Sequence, residues 1–260
     1  MGSTSPEDSI PCYTEDTSSS ATVLPSHLQP RRAAISRNTN ETKIQVSLSL
    51  DGGLLLPYTP IAAFPDTSTT HIPLPSRRHA TQVTPTQSIV LDTGIGFLDH
   101  MLHALAKHSG WSLAIRSIGD LYIDDHHTCE DVFLALGTAF SNALGPRASL
   151  VRFGRGDAPL DEALSWAVLD ISSRPFSVID FGFKREKIGD LSTEMLTHGL
   201  QSWAQNAGCT LHVKTVYGDN DHHRAESGFK ALAVAIRTAC TRRVEGNAGA
   251  GDVVSTKGVL

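Results

Sequence analysis

The chain has 260 residues, 40% of them hydrophobic and 19% charged, which suits a soluble globular protein with a sizeable core. Its formal charge of −5 and pI near 6.2 exclude the concentrated basic surface that a nucleic acid or an anionic membrane would require. Small-molecule chemistry is the class that remains.

Residues 1 to 30 are rich in Ser, Thr and Pro and poor in large apolar side chains, so they cannot bury enough surface to offset the entropy of ordering, and a flexible tail is expected. They have no basic start and no apolar stretch, and no run in the chain approaches the roughly 18 apolar residues of a membrane span; a cytoplasmic setting is expected. Residues 32–50 end in the alternation Ile44, Val46, Leu48, Leu50, the period-2 signature of a half-buried strand, closed by a turn at Asp51, Gly52 and Gly53. Over residues 54–88, Pro57, Pro60, Pro65, Pro73, Pro75 and Pro85 argue against any regular element. That stretch reads as a surface insertion, and function should survive its shortening.

Periodicity predicts a helix over 95–107, a strand over 111–117 and an apolar helix over 128–144 stopped by Gly145 and Pro146. Strands are predicted within 163–183, then a helix over 193–207, a strand over 210–217 and a helix over 224–242. Cys12, Cys129, Cys209 and Cys240 are scattered and form no C-x-x-C pair, which indicates neither a disulfide framework nor a thiolate zinc site.

The two rounds repeat one order of elements, and their residues agree. SLAIRSIGDLYIDDHHTCEDVFLALGTAF lies over TLHVKTVYGDNDHHRAESGFKALAVAI with a two-residue gap, each holding a strand, an acidic turn, HH-x-x-E and an apolar helix. The chain therefore reads as a duplicated half-domain, the first half over 31–147 with the 54–88 insertion, the second over 148–245, and a tail over 246–260.

The motifs are His126-His127 with Glu130 and His222-His223 with Glu226, and each has an upstream histidine, His100 and His198, at 26 and 24 positions respectively. Successive helical side chains diverge by about 100°, so either histidine of a pair can meet its glutamate but the two adjacent imidazoles cannot readily converge on one ion. Neighbouring histidines that ligate should serve two different metals. Imidazole plus carboxylate without thiolate suits Mn, Fe, Ni or Zn, with six-coordinate Mn²⁺ leaving positions open for substrate. His103, His108 and His212 have no counterparts in the other repeat and are assigned to packing or solvent. Arg152, Arg174 and the tail Ser255, Thr256, Lys257 could hold a phosphate.

The stretches RNTNETKI, TGIGFLDHMLHALAKHSG, DDHHTCEDV, APLDEALSWAVLDISSRP, TLHVKTVYGDNDHHRAESGFKA and the C-terminal STKG resemble the imidazoleglycerol-phosphate dehydratase family of histidine biosynthesis. The resemblance runs from Arg32 to the end, apart from the insertion. It implies an α/β (α+β sandwich) fold of duplicated half-domains of the ribosomal protein S5 domain 2-like type, each a four-stranded sheet packed on two helices. It implies a homo-oligomer of about 24 subunits built from trimers, with metal sites between protomers. Two Mn²⁺ per active site would be held by His100, His126, His127, Glu130, His198, His222, His223 and Glu226, their partition left open.

The implied reaction dehydrates D-erythro-imidazoleglycerol phosphate to imidazole acetol phosphate by way of a metal-bound imidazolate, because the proton leaves a carbon with no adjacent carbonyl. Glu41, Glu226 and Glu130 are the acid/base candidates. Glu41, Arg152, Arg174, Ser255 and Lys257 would bind the substrate, and the Gly-rich run before STKG would let the tail move as a lid. The competing reading is a dinuclear metal phosphohydrolase using the same ligands to activate water.

Overall fold

A computed structural model describes residues 1–2, 30–70, 80–244 and 246–260. The expected tail with Cys12, beyond its ends, and residues 71–79 of the insertion lie outside these. The first half opens with the antiparallel strands β1 (Arg32–Asn38) and β2 (Thr42–Ser49), followed by β3 (Thr81–Val83), β4 (Ser88–Asp92), helix α1 (Gly96–Ser109), β5 (Ser112–Gly119) and helix α2 (His126–Leu144). The second half contains β6 (Phe153–Leu160), β7 (Ala163–Asp170), β8 (Phe176–Asp180), the two-residue strands β9 (Lys187–Ile188) and β10 (Leu191–Ser192), helix α3 (Thr193–Ala207), β11 (Thr210–Tyr217) and helix α4 (Asp221–Ala239).

One sheet has the order β1-β2-β5-β4-β3 and the other β6-β7-β11-β8. Without β3 the two are the same sheet: two antiparallel pairings followed by one parallel pairing, β5 with β4 and β11 with β8. The duplication read from the sequence is thus a duplication of topology. The expected four strands become five in the first half because the end of the insertion adds β3, which sequence reading had assigned to a region without regular structure.

Helices α1 and α2 lie on the first sheet and α3 and α4 on the second, and the halves meet helix to helix, α1 on α4 and α2 on α3. Trp111, Phe140 and Trp203 form a chain of ring contacts across that seam, as do Phe133 and Phe229. Close approach is written into glycines. A Cβ at Gly199 of α3 would sit inside the ring of Phe133 of α2, and one at Gly154 or Gly156 of β6 would collide with the carbonyl oxygens of Ala235 or Ala231 of α4.

β2 departs from the half-buried strand that its alternation predicts. Ile44, Val46 and Leu48 face the helices, yet Gln45, Ser47 and Ser49 on the opposite face are also fully buried. The insertion covers them: Ser47 Oγ donates to the Leu56 carbonyl at 2.7 Å, and Gln45 Nε2 donates to that of Thr59. Arg116 of β5 lies between the rings of Tyr58 (4.5 Å) and Phe64 (4.7 Å) and binds both oxygens of Asp66. Residues 54–70 are therefore a docked cover. Among the described residues β7, the counterpart of β2, has no such cover, and it alternates strictly between buried and half-buried.

Candidate metal centres

The N-terminal turns of all four helices converge in pairs, and carboxylates from the opposite half fix two of them. Asp190, in the β9–β10 turn, accepts from the backbone N–H of Gly96 (2.6 Å) and Phe97 (2.9 Å) at the start of α1. Asp125, just before α2, accepts from Ser192 Oγ at 2.9 Å at the start of α3. Asn220 caps α4 by accepting from the N–H of His222 at 2.9 Å. α4 starts three residues earlier and α2 two residues earlier than their apolar periodicity predicts, so each His-His pair lies within the first turn.

Two ligand sets result, His100 with His222 and Glu226, and His126 with Glu130 and His198; the donor atoms of each lie within 4.8 Å of one another. Each set crosses the duplication. His100 of the first half approaches Glu226 of the second at 3.1 Å and His222 at 3.3 Å, while His198 of the second half approaches Glu130 of the first at 3.0 Å. The imidazole ring centroids in each set are 5.1 Å apart. Two imidazoles and a carboxylate, without a thiolate, fit a divalent ion of the Mn, Fe, Ni or Zn group. Glu226 is also bound by Lys230, 2.7 Å from its other oxygen, and the His100 hydrogen bond and that ammonium hold it well below the usual carboxylate range despite partial burial.

His127 and His223 belong to neither set. His127 Nδ1 lies 2.9 Å from Asp120, and His223 Nδ1 lies 2.6 Å from Glu162. The Asp120 hydrogen bond raises the proton affinity of His127. Glu162 is lowered to about 2 by the Asn220 backbone N–H and by His223. Both Nε2 atoms lie near a second carboxylate at 3.9 Å, Glu41 for His127 and Asp161 for His223. The helical divergence of adjacent residues is thus realised as one inward and one outward histidine. Asp120, Glu162, Lys230 and Asp190 were not anticipated, because single acidic or basic residues in turns carry no spacing signature. His103, His108 and His212 are absent from the ligand groups found among the described residues.

The proposed phosphate residues gather elsewhere. Arg152, held at φ 78°, is buried and binds both oxygens of Asp170 through Nε (2.7 Å) and Nη2 (3.1 Å), while Nη1 donates to the Val254 carbonyl. Arg174 stands 3.9 Å from the same carboxylate with its side chain 62% exposed. Ser255 and Lys257 follow directly on Val254, with Ser255 Oγ accepting from the Lys257 N–H at 3.2 Å. This cluster sits at Asp170, the end of β7, whereas Glu162 and His223 sit at its start; the eight residue rises from Glu162 to Asp170 place the two about 26 Å apart. One chain therefore does not bring the arginines to its own ligand sets along this sheet.

Fold and site together define a duplicated α/β protein carrying, between its halves, two pseudo-equivalent His-His-Glu groups that could each hold a metal ion. The family described as Imidazoleglycerol-phosphate dehydratase matches residues 93–236. The imidazoleglycerol-phosphate dehydratase of Neurospora crassa is 59% identical over 89% of this chain and 96% of its own length, and that of Candida albicans is 58% identical over 88% and 98%. Solved structures of the enzymes from Staphylococcus aureus and Pyrococcus furiosus superpose with TM-scores of 0.61 and 0.63 at 29% identity, covering 82% and 87% of this chain and 99% and 100% of theirs. The chain belongs to the imidazoleglycerol-phosphate dehydratase family and is a hydro-lyase.

Proposed function

We propose that the protein dehydrates D-erythro-imidazoleglycerol phosphate to imidazole acetol phosphate in histidine biosynthesis, with two Mn²⁺ ions per active site. The observation that carries this reading is the pair of ligand sets crossing the duplication in a chain of this family. His100, His222 and Glu226 hold one ion and His126, Glu130 and His198 the other. When bound, the ions supply Lewis acidity that favours the anionic form of the substrate imidazole, which makes a carbon acid without a neighbouring carbonyl accessible.

Of the three acid/base candidates, Glu41 is the one left for proton transfer. Its side chain is 54% exposed at the edge of the site, while Glu130 and Glu226 are engaged by histidines as ligands. Arg174, Ser255 and Lys257 grip the phosphate, with Arg152 and Asp170 bracing the tail beneath them. The separation of this cluster from the ligand sets supports an active site completed between copies, with the outward His127 and His223 of one copy filling positions on the ions of another, in a homo-oligomer built from trimers. The hydrolase alternative has no support from the relatives.

Incubating the Mn²⁺-loaded protein with imidazoleglycerol phosphate tests the reading. The expected product is an enolisable ketone that retains its phosphate; release of inorganic phosphate without ketone overturns it.

A further inference from the structure

The two halves do not treat their outward histidine alike. Laying the pair Ser49 and Ser112 on the pair Asp170 and Thr210 superposes β2 and β5 on β7 and β11 by register. Glu41 then falls on Glu162, each the last residue before its strand. A bulge between Thr215 and Tyr217 adds one residue to β11, so the position that Asp120 holds opposite Glu41 in the first half is held opposite Glu162 by Asp219. In the second half that carboxylate turns outward: the Asp219 side chain is 92% exposed and its Oδ1 lies 3.6 Å from Lys184 Nζ. Glu162 meets His223 Nδ1 instead, and its other oxygen accepts from the N–H groups of Asp219 (3.1 Å) and Asn220 (2.9 Å). In the first half the buried Asp120 meets His127 Nδ1, and Glu41 faces the Nε2 side at 3.9 Å.

We propose that Asp120 and Glu162 are positioning residues that fix His127 and His223 as Nδ1-protonated tautomers with Nε2 presented as a ligand, and that Asp120 thereby frees Glu41 from the task its counterpart Glu162 performs. An ionised carboxylate only accepts, so the imidazole nitrogen beside it must carry the hydrogen, and the lone pair is left on Nε2. A carboxylate committed to that bond, and to two backbone amides as well, is unavailable to shuttle a proton. Duplication alone would give two equivalent glutamates. An aspartate that meets its histidine in the first half, and one that turns out to Lys184 in the second, leave one free glutamate and one positioning glutamate. This rests on the reading that His127 and His223 ligate the ions of a neighbouring copy.

Glu162→Gln is a selective probe. Its amide oxygen still accepts from Asp219 and Asn220, but its NH₂ cannot accept from Nδ1–H and favours the other tautomer. Mn²⁺ affinity measured by calorimetry should fall about 10–100-fold in E162Q and in D120N. The ¹⁵N spectra of histidine-labelled, metal-free protein should show the corresponding ring switching to Nε2–H, with the melting temperature of the metal-free protein unchanged. Glu41→Gln should keep wild-type Mn²⁺ affinity while losing turnover. Wild-type affinity in both E162Q and D120N, or a loss of affinity in E41Q equal to theirs, overturns the proposal. His223→Ala separates the two levels: wild-type Mn²⁺ binding in H223A sinks ligation by the outward histidines itself, whereas weakened binding in H223A with normal binding in E162Q sinks only the positioning role. If E162Q melts early, D120N with its own tautomer signal decides.

Discussion

His100 Nε2 and Glu226 Oε2 meet at 3.1 Å although 126 positions separate them, and that pairing has a measurable signature. Replacing His100 and His222 together by Ala should cost the same single ion per chain as replacing both His126 and His198, because each pair shares a set. Replacing His100 and His198 should strip both ions; metal analysis of the three double variants checks this, and ligand sets formed within each repeat would instead cost both ions in all three. The cysteines make a second residue-scale prediction. Burial pushes the thiols of Cys209 and Cys240 up to about 12 and Cys129 higher still, so alkylation at pH 8 followed by mass spectrometry should leave all three unmodified until the protein is unfolded. The six residues that the two sets bring together were legible from the doubled motif and its upstream histidines, because ligand chemistry restricts residue type and helix geometry restricts spacing, whereas His127 and His223 stand outside both sets. Their partition was not legible, since it is set by which helices pack together across the seam.

Helix α2 meets α3 where Gly199 faces the Phe133 ring, and a methyl group there has nowhere to go. Gly199→Ala should destabilise the protein by about 1–3 kcal/mol through overpacking, read as a lowered melting temperature, with the set of His126, Glu130 and the neighbouring His198 loosened in proportion. The glycines of β6 show the limit of sequence reading at this scale. FGRG lacks the β-branched pattern of a strand, because its side chains were given up so that the strand could lie against the α4 backbone. The amphipathic helices were predicted in the right order because period 3.6 survives burial on one face; β2 was predicted as a strand but with the wrong outer face. Polar Gln45, Ser47 and Ser49 look solvent-facing until the Pro-rich segment docks on them, so the expectation that the insertion can be shortened without consequence does not extend to residues 54–70.

For the whole molecule the two kinds of acid sensitivity should separate. Ligand histidines must be neutral, so bound metal and activity should decline together as the pH falls into the range where imidazoles take up protons. The fold should outlast the metal. Burial of Asp51 opposes its ionisation, but the hydrogen bonds and charge of Arg31 outweigh it and lower its pKa. A carboxylate so depressed stabilises the protein above its unfolded pKa near 4 and loses that contribution only as the pH drops through the lowered value. Circular dichroism at pH 5 should therefore show native structure in protein from which metal analysis finds the ions gone, and loss of both together would contradict this. If the outward histidines bridge copies, chelation at neutral pH should also shrink the particle seen by light scattering. The crossing of the ligand sets bears on ancestry as well. A solitary half would own one histidine of one set and the His-x-x-x-Glu of the other, and could assemble a complete set only against a twin turned by a two-fold axis. Fusion of the two genes would then have converted an exchange between strangers into an internal contract, leaving each half free to diverge, as Asp120 and Asp219 have done in what their carboxylates meet.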